Sequence, residues 1–278
     1  MSHTEAAGRR LSAWAVAACV AASIFFAFLG SGAIGGTPIQ DAADGWLSAD
    51  GTPLAPGRTA FSIWTVIYAG LVVYAVVQLL PSRLRSERHR ALRPWAAASV
   101  LLNAAWIWVV QFGWLAASVV VIIALLAVLA RILVLLVARP VGSAVDAVVV
   151  DGTFGLYLGW VCVATVANVA AWLASLGVTG FGLPVPVAAG VVLAVAAGVA
   201  AAIAFYTGGR AAPALAMAWG LAWIAVGRLD GGIVSEPIAW TAATASLVVV
   251  AATVLARLSP RARTEHSRKL AASHGTRR

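Results

Sequence analysis

From Leu115 to Ala138 the chain reads LAASVVVIIALLAVLARILVLLVA, with Arg131 as its one charged side chain. Roughly 20 predominantly apolar residues let a helix cross the hydrocarbon core of a bilayer. No water reaches the backbone there, so every N–H and C=O must be bonded within the protein, and only helices and closed barrels satisfy that. A barrel strand would alternate apolar and polar residues, whereas this run is continuous. Comparable segments lie at about 11–34, 59–80, 94–113, 148–173, 184–207, 212–227 and 237–257. The fold expected is therefore all-α, a polytopic membrane helical bundle of about eight transmembrane helices. Composition agrees: 62% of the 278 residues are hydrophobic and 10% charged, where a soluble domain is about a quarter charged.

The net charge of +9 is distributed as a topology signal. Arg83, Arg85, Arg88, Arg90 and Arg93 crowd the second connection, and Arg139 and Arg210 mark the fourth and sixth. The first connection, 35–58, holds Asp41, Asp44 and Asp50 against Arg58, and the third and fifth are uncharged. Basic and acidic-or-neutral connections alternate, so the positive-inside rule places both termini in the cytoplasm of a multi-pass plasma-membrane protein. This accounts for the basic pI without a nucleic-acid partner. Residues 1–10 read as a cytoplasmic tail, and 258–278 as a second, basic one, disordered or resting on anionic headgroups. The first apolar segment exceeds the ~7–15 residues of a signal-peptide core and reads as a retained helix.

Chemistry-bearing groups are sparse. Cys19 and Cys162 both sit in apolar segments, and all four His residues are in tails or a loop. There is no metal-ligand spacing and no nucleophile–base constellation. The expectation is a protein that is not an enzyme and carries no metal or cofactor. Arg131 and Asp151 read as a structural pair, and no carboxylate chain or acidic ring marks a pump or channel. Small-xxx-small spacings at Gly155–Gly159 and Gly190–Ala194–Gly198 permit close helix contact. Trp219 and Trp223, four residues apart, share a face suited to a helix junction.

Three segments carry aromatic and amide stripes. Phe61, Trp64, Thr65 and Tyr68 share one helical face of the second segment. Ser99, Asn103 and Trp106 share one of the third, with Trp108 roughly opposite. Tyr157, Trp160, Ala164 and Asn168 share one of the fifth, with Trp172 at its edge and the small Ala164 leaving space. Asn is costly in hydrocarbon without a partner, so Asn103 and Asn168 should face the bundle interior. For any one helix, packing explains the stripe equally well. Three stripes together point to a pocket for a flat, apolar ligand. Trp14, Trp114 and Trp240, at span ends, suit an aromatic belt.

The motifs WTVIY, LNAAW and YLGWVCVATVANVAAW resemble the tryptophan-rich sensory protein family (TspO/MBR), which includes the translocator proteins once called peripheral benzodiazepine receptors. The family pattern W-T-x-x-Y falls on Trp64, Thr65 and Tyr68. L-N-x-x-W falls on Leu102, Asn103 and Trp106, and the fifth-helix pattern on Tyr157, Trp160, Asn168 and Trp172. The Gly-Pro that commonly precedes W-T is replaced here by FSI. The resemblance covers about 11–175, leaving 176–257 as three additional transmembrane helices. It implies a five-helix bundle binding a porphyrin-like (tetrapyrrole) ligand, as a sensor or receptor, often as a homodimer. By position it implies ligand contacts from Trp64, Thr65, Tyr68, Asn103, Trp106, Tyr157, Trp160 and Asn168. The alternative is a membrane transporter of a small hydrophobic molecule, with the last three segments completing the path.

The topology is open to direct test. Cysteines placed at 85–90 should resist a membrane-impermeant reagent added outside intact cells, whereas cysteines at 41–50 should react; labelling at 85–90 would overturn the orientation.

Overall fold

The computed structural model describes residues 3–31, 37–39, 41–139 and 141–259. Its long helices are α1 (His3–Gly30), α2 (Ile63–Val77), α3 (Glu87–Gln111), α4 (Leu115–Ala138), α5 (Ala144–Ser175), α6 (Val185–Thr207), α7 (Ala211–Asp230) and α8 (Glu236–Leu258). No strand occurs among the described residues. Seven of the spans are long and apolar enough to cross a membrane, and in α7 the apolar stretch is Ala211–Gly227. The expected all-α polytopic bundle is what forms. Boundaries shift: α1 already includes Arg9 and Arg10, which the sequence placed in a tail. A 3-10 turn, Arg58–Ser62, leads into α2, and α5 passes through a π-helical turn at Ala147–Gly152. Most of the basic tail expected at 258–278 lies outside the described residues, as do residues 1–2.

α1, α3, α4, α5 and α2 close a ring, each packed on the next, with α2 returning to α1. α7 packs on the outer side of α5, α8 on α7, and α6 on α8. Glycine makes the junction at α5. A Cβ on Gly155 would lie 2.8 Å from the Ala212 methyl, and one on Gly159 would overlap the Pro213 carbonyl oxygen. On the facing helix, a Cβ on Gly220 would come within 2.8 Å of Val163. Without lipid-expelling water between helices, such backbone approach is what holds them. The Gly190–Ala194–Gly198 stripe does not act this way: nothing lies within 4 Å of a Cβ on Gly198. Trp14, Trp114 and Trp240 are exposed at 62%, 60% and 69%, as belt residues at span ends should be.

At the arginine-rich end the side chains turn inward. Arg83 donates to Asp146 at 2.9 Å, and His89 Nε2 lies 3.3 Å from the same carboxylate. Arg88 donates to Asp151 at 2.7 Å, and Arg210 binds the other oxygen of Asp151. Arg93, almost fully buried, donates to the Gln78 side chain at 3.0 Å and its carbonyl at 3.3 Å, capping the negative end of α2. Gln78 in turn donates to the Ala13 carbonyl at 2.8 Å, so one side chain ties α1, α2 and α3. The expected Arg131–Asp151 pair does not form. Asp151 is already held by two arginines, and Arg131, exposed on α4, lies 5.8 Å over the Trp95 ring, a cation–π contact.

Two substitutions separate the glycine motifs. Gly159→Leu should destabilise the fold by about 2 kcal/mol or more through overpacking against α7. Gly198→Ala should leave it unchanged or raise it by up to about 1 kcal/mol, the propensity difference in a helix interior. Unfolding in mixed micelles with increasing anionic detergent, followed by circular dichroism, measures both.

Candidate functional site

The ring encloses an aromatic–amide core near the end opposite the arginines. The 3-10 turn before α2 brings Phe61 edge-on to Trp160, with ring centroids 5.6 Å apart. One turn on, Trp64 stacks on Tyr68 at 5.1 Å and meets Tyr157 and Trp160 edge-on at 5.7 and 6.5 Å. These offset and T-shaped arrangements are the favourable ones for aromatic quadrupoles. The 3.6-residue period of α2, α3 and α5 places all of these groups on inward faces.

The amides bond across helices. Asn103 on α3 and the Tyr68 hydroxyl on α2 lie 3.0 Å apart. Trp106 Nε1 donates to Asn168 Oδ1 at 3.0 Å, linking α3 to α5. The Ser118 hydroxyl of α4 lies 3.0 Å from that same oxygen and 2.8 Å from the Leu115 carbonyl. Asn168 Nδ2 returns to the Ala164 carbonyl at 3.0 Å. One amide thus joins three helices, as a polar group in hydrocarbon must. Tyr157 donates to the Ser99 carbonyl at 3.1 Å.

Between these groups lies a cavity of ≈ 30 Å³, room for about one water. Trp64, Asn103, Trp106, Trp160 and Asn168 line it, with Ile122 and Leu125 of α4 and Ala164 and Ala167 of α5. Ile39, Leu47 and Pro56, from the connection between α1 and α2, also line it. Among the described residues no charged side chain does. Two of its lining residues each bury a polar atom that has no partner among the described residues. One is Trp160 Nε1, and the other is the end of the Asn103 amide turned away from Tyr68. Both residues are at most 3% exposed.

Of the side chains expected at the site, seven converge here. Trp64, Asn103, Trp106, Trp160 and Asn168 face the cavity, while Tyr68 and Tyr157 stand behind Trp64. Thr65 does not join them: it is exposed on the outer face of α2, one helical step from Trp64. Trp108 lies away from the cavity, beside Gly30 of α1 and 6.0 Å from Phe112. The sequence reading missed Ser118, which is the one hydroxyl in the first half of an otherwise aliphatic helix. It also missed Leu47 and Pro56; the signal was the run of Trp46, Leu47 and Leu54 in a connection that water alone would not favour. Among the described residues no cluster of His, Cys, Asp and Glu could hold a metal.

A ring of membrane-spanning helices around an aromatic–amide core defines a multi-pass α-helical membrane protein whose polar chemistry is concentrated inside the bundle. The family profile described as TSPO-like protein matches residues 9–255, and the chain belongs to this family. The match runs from α1 into α8, so the last three helices fall within it. No curated protein and no solved structure matches the chain.

Within the aromatic–amide core, Asn168 is the side chain that serves two other helices. Asn168→Leu strands the buried Trp106 N–H and frees Ser118, and should cost about 1–3 kcal/mol per orphaned group. Ser118→Ala leaves Trp106 bonded and should cost less than about 1.5 kcal/mol. Detergent unfolding of the two variants side by side checks the order.

Proposed function

We propose that the chain is a membrane sensor or receptor that binds a flat hydrophobic ligand of the tetrapyrrole type at the aromatic–amide cavity. The observation carrying this reading is that two residues lining an otherwise apolar, aromatic space, Asn103 and Trp160, each bury a polar atom with no partner among the described residues. An orphaned buried polar group costs about 1–3 kcal/mol, and a ligand with its own donor and acceptor would remove that cost at both. Apolar walls with a few convergent polar groups are the usual composition of small-molecule sites. Membership of the TSPO-like family supports the same assignment.

At ≈ 30 Å³ the cavity is far below the roughly 300–1,000 Å³ of ligand-filled pockets. Binding therefore requires the walls to part. The ligand would slide between Trp64 and Trp160, exchanging their mutual edge contact for two faces against its own plane. Residues 11–175 would form the binding bundle and 176–257 its support, in a plasma-membrane protein with both termini cytoplasmic and with pairing of two copies through the outer faces. Thr65, on the outside of α2, is left without a role in ligand contact.

Titrating purified protein with a dicarboxylic porphyrin and following tryptophan quenching tests the reading. Trp64→Leu and Trp160→Leu should each weaken binding about tenfold or more, on the basis of ~0.5–1.5 kcal/mol per aromatic contact beyond the area lost. Trp108→Leu should leave binding unchanged. Equal effects of all three, or none, would reduce the stripe to packing.

A further inference from the structure

The connection between α1 and α2 is folded against a helix far away in sequence. Gly57 N–H donates to the Trp223 carbonyl at 2.9 Å, and Trp219 Nε1 donates to the Ala60 carbonyl at 3.0 Å. Arg228, at the end of α7 and fully buried, donates to the Thr52 carbonyl at 3.0 Å and also to the Ala49 carbonyl. Gly232 N–H, just past α7, donates to the Asp50 carboxylate at 2.6 Å. A Cβ on Gly57 would come within 3.3 Å of Trp223, a tight approach that shows how closely the connection lies on α7. The same connection supplies Leu47 and Pro56 to the cavity wall.

We propose that Arg228 is a positioning residue: with Trp219 it clamps residues 49–60 to α7 and so holds Leu47 and Pro56 as the roof of the cavity. The physical reasoning is direct. A guanidinium withdrawn from water needs partners for its donors, and two backbone carbonyls of the roof take one N–H from each of its terminal nitrogens, while Nε has no partner among the described residues. The roof has no regular ladder of its own; its turn passes through left-handed backbone at Ala43 and Asp44, with φ of 51° and 55°, which L residues adopt at a cost. What keeps such a segment down is what it is tied to. The helices beyond α5 thereby acquire a task at the site without touching it. Release of the clamp opens the cavity toward the end of the bundle that carries the roof. The inference rests on the cavity being the binding site for its functional meaning, but the clamp itself is measurable without any ligand.

The test uses the full chain in lipid nanodiscs, with Cys19 and Cys162 replaced by Ala and a reporter Ala167→Cys on the cavity wall. A small, water-soluble methanethiosulfonate reports access to it. Arg228→Gln should speed the reaction about tenfold, the factor that goes with losing one charge-assisted hydrogen bond from the closed form. Trp219→Phe keeps an aromatic side chain, removes the N–H donor to Ala60, and should give a smaller rise in the same direction. A Cβ on Gly232 would lie 2.8 Å from Asp50 Cγ, so Asp50→Cys with Gly232→Cys can close a disulfide. Oxidising that pair in the Arg228→Gln protein should return the rate to that of the parent, and reduction should raise it again. An unchanged rate in folded Arg228→Gln and Trp219→Phe protein overturns the proposal. So does a rise the disulfide cannot reverse, since that marks general loosening. Porphyrin titration of the same samples separates the two ideas: a working clamp with no porphyrin binding sinks the ligand assignment and leaves the clamp standing.

Discussion

α5 has to be packed on both sides at once, and most of the molecule follows from how it does so. One face is stripped to Gly155 and Gly159, and α7 lies against it with Pro213 in backbone contact. The other presents Tyr157, Trp160 and Asn168 to the ring. The two faces use different physics. On the glycine face, dispersion between close backbones holds the helices, because lipid offers an apolar surface no worse than another helix. On the opposite face, hydrogen bonds that have no competitor in hydrocarbon fix which helices meet and in what register. Asn168 alone engages Trp106 of α3 and Ser118 of α4. A helix so committed cannot rotate, and α2, α3, α4 and α7 are indexed from it.

The parts of this arrangement that could be read from sequence are those governed by helical period and solvent. Apolar length gave the spans, and the cost of an amide in lipid put Asn103 and Asn168 inside. Aromatic spacing then assembled Trp64, Trp106, Tyr157 and Trp160 around them. Thr65 lies apart from the cavity because a motif is contiguous in sequence while a helix face is not: its neighbour Trp64 points in, and a residue about 100° away points out. The contacts of the arginines in the second connection could not be read for another reason. Their number is a topology signal, but the number does not say which will be buried. Arg93 finds the carbonyl end of α2 and Arg88 finds Asp151, and both partners come from other segments. The roof was hidden for the same reason. Its hold on α7 spans sequence separations of 159 to 182 residues, which no local pattern records.

The closed cavity has a consequence for energetics. Trp64 is engaged on one face by Tyr68 and at its edges by Tyr157 and Trp160. Contacts of this kind contribute about 0.5–1.5 kcal/mol beyond area burial. A ligand that inserts must replace them, and a flat aromatic molecule does so nearly in kind. An aliphatic one of equal volume would forgo the quadrupolar part and leave the Trp160 N–H and the free end of Asn103 unpaired. Selectivity for flat, polar-edged molecules would then arise from what the empty site already satisfies internally, and from the two atoms it does not.

The two ends of the bundle differ in how easily they could part. At the arginine-rich end Arg83, Arg88 and Arg210 meet the carboxylates of Asp146 and Asp151. Removing one partner from such a buried pair costs about 3–5 kcal/mol, because a charge is left stranded. At the other end Arg228 is held by two carbonyl oxygens rather than by a carboxylate, and hydrogen bonds to a charged group contribute about 1.5–3 kcal/mol each. A segment tied this way can exchange carbonyls for water as it lifts, since headgroup-depth water can take over both the guanidinium and the freed carbonyls. Parting of the carboxylate-held end has no comparable route, because its ions are packed between helices that would themselves have to separate. The end held by carbonyls is the one where Leu47 and Pro56 cover the aromatic core. Motion of the roof would open the cavity without separating the helices of the ring.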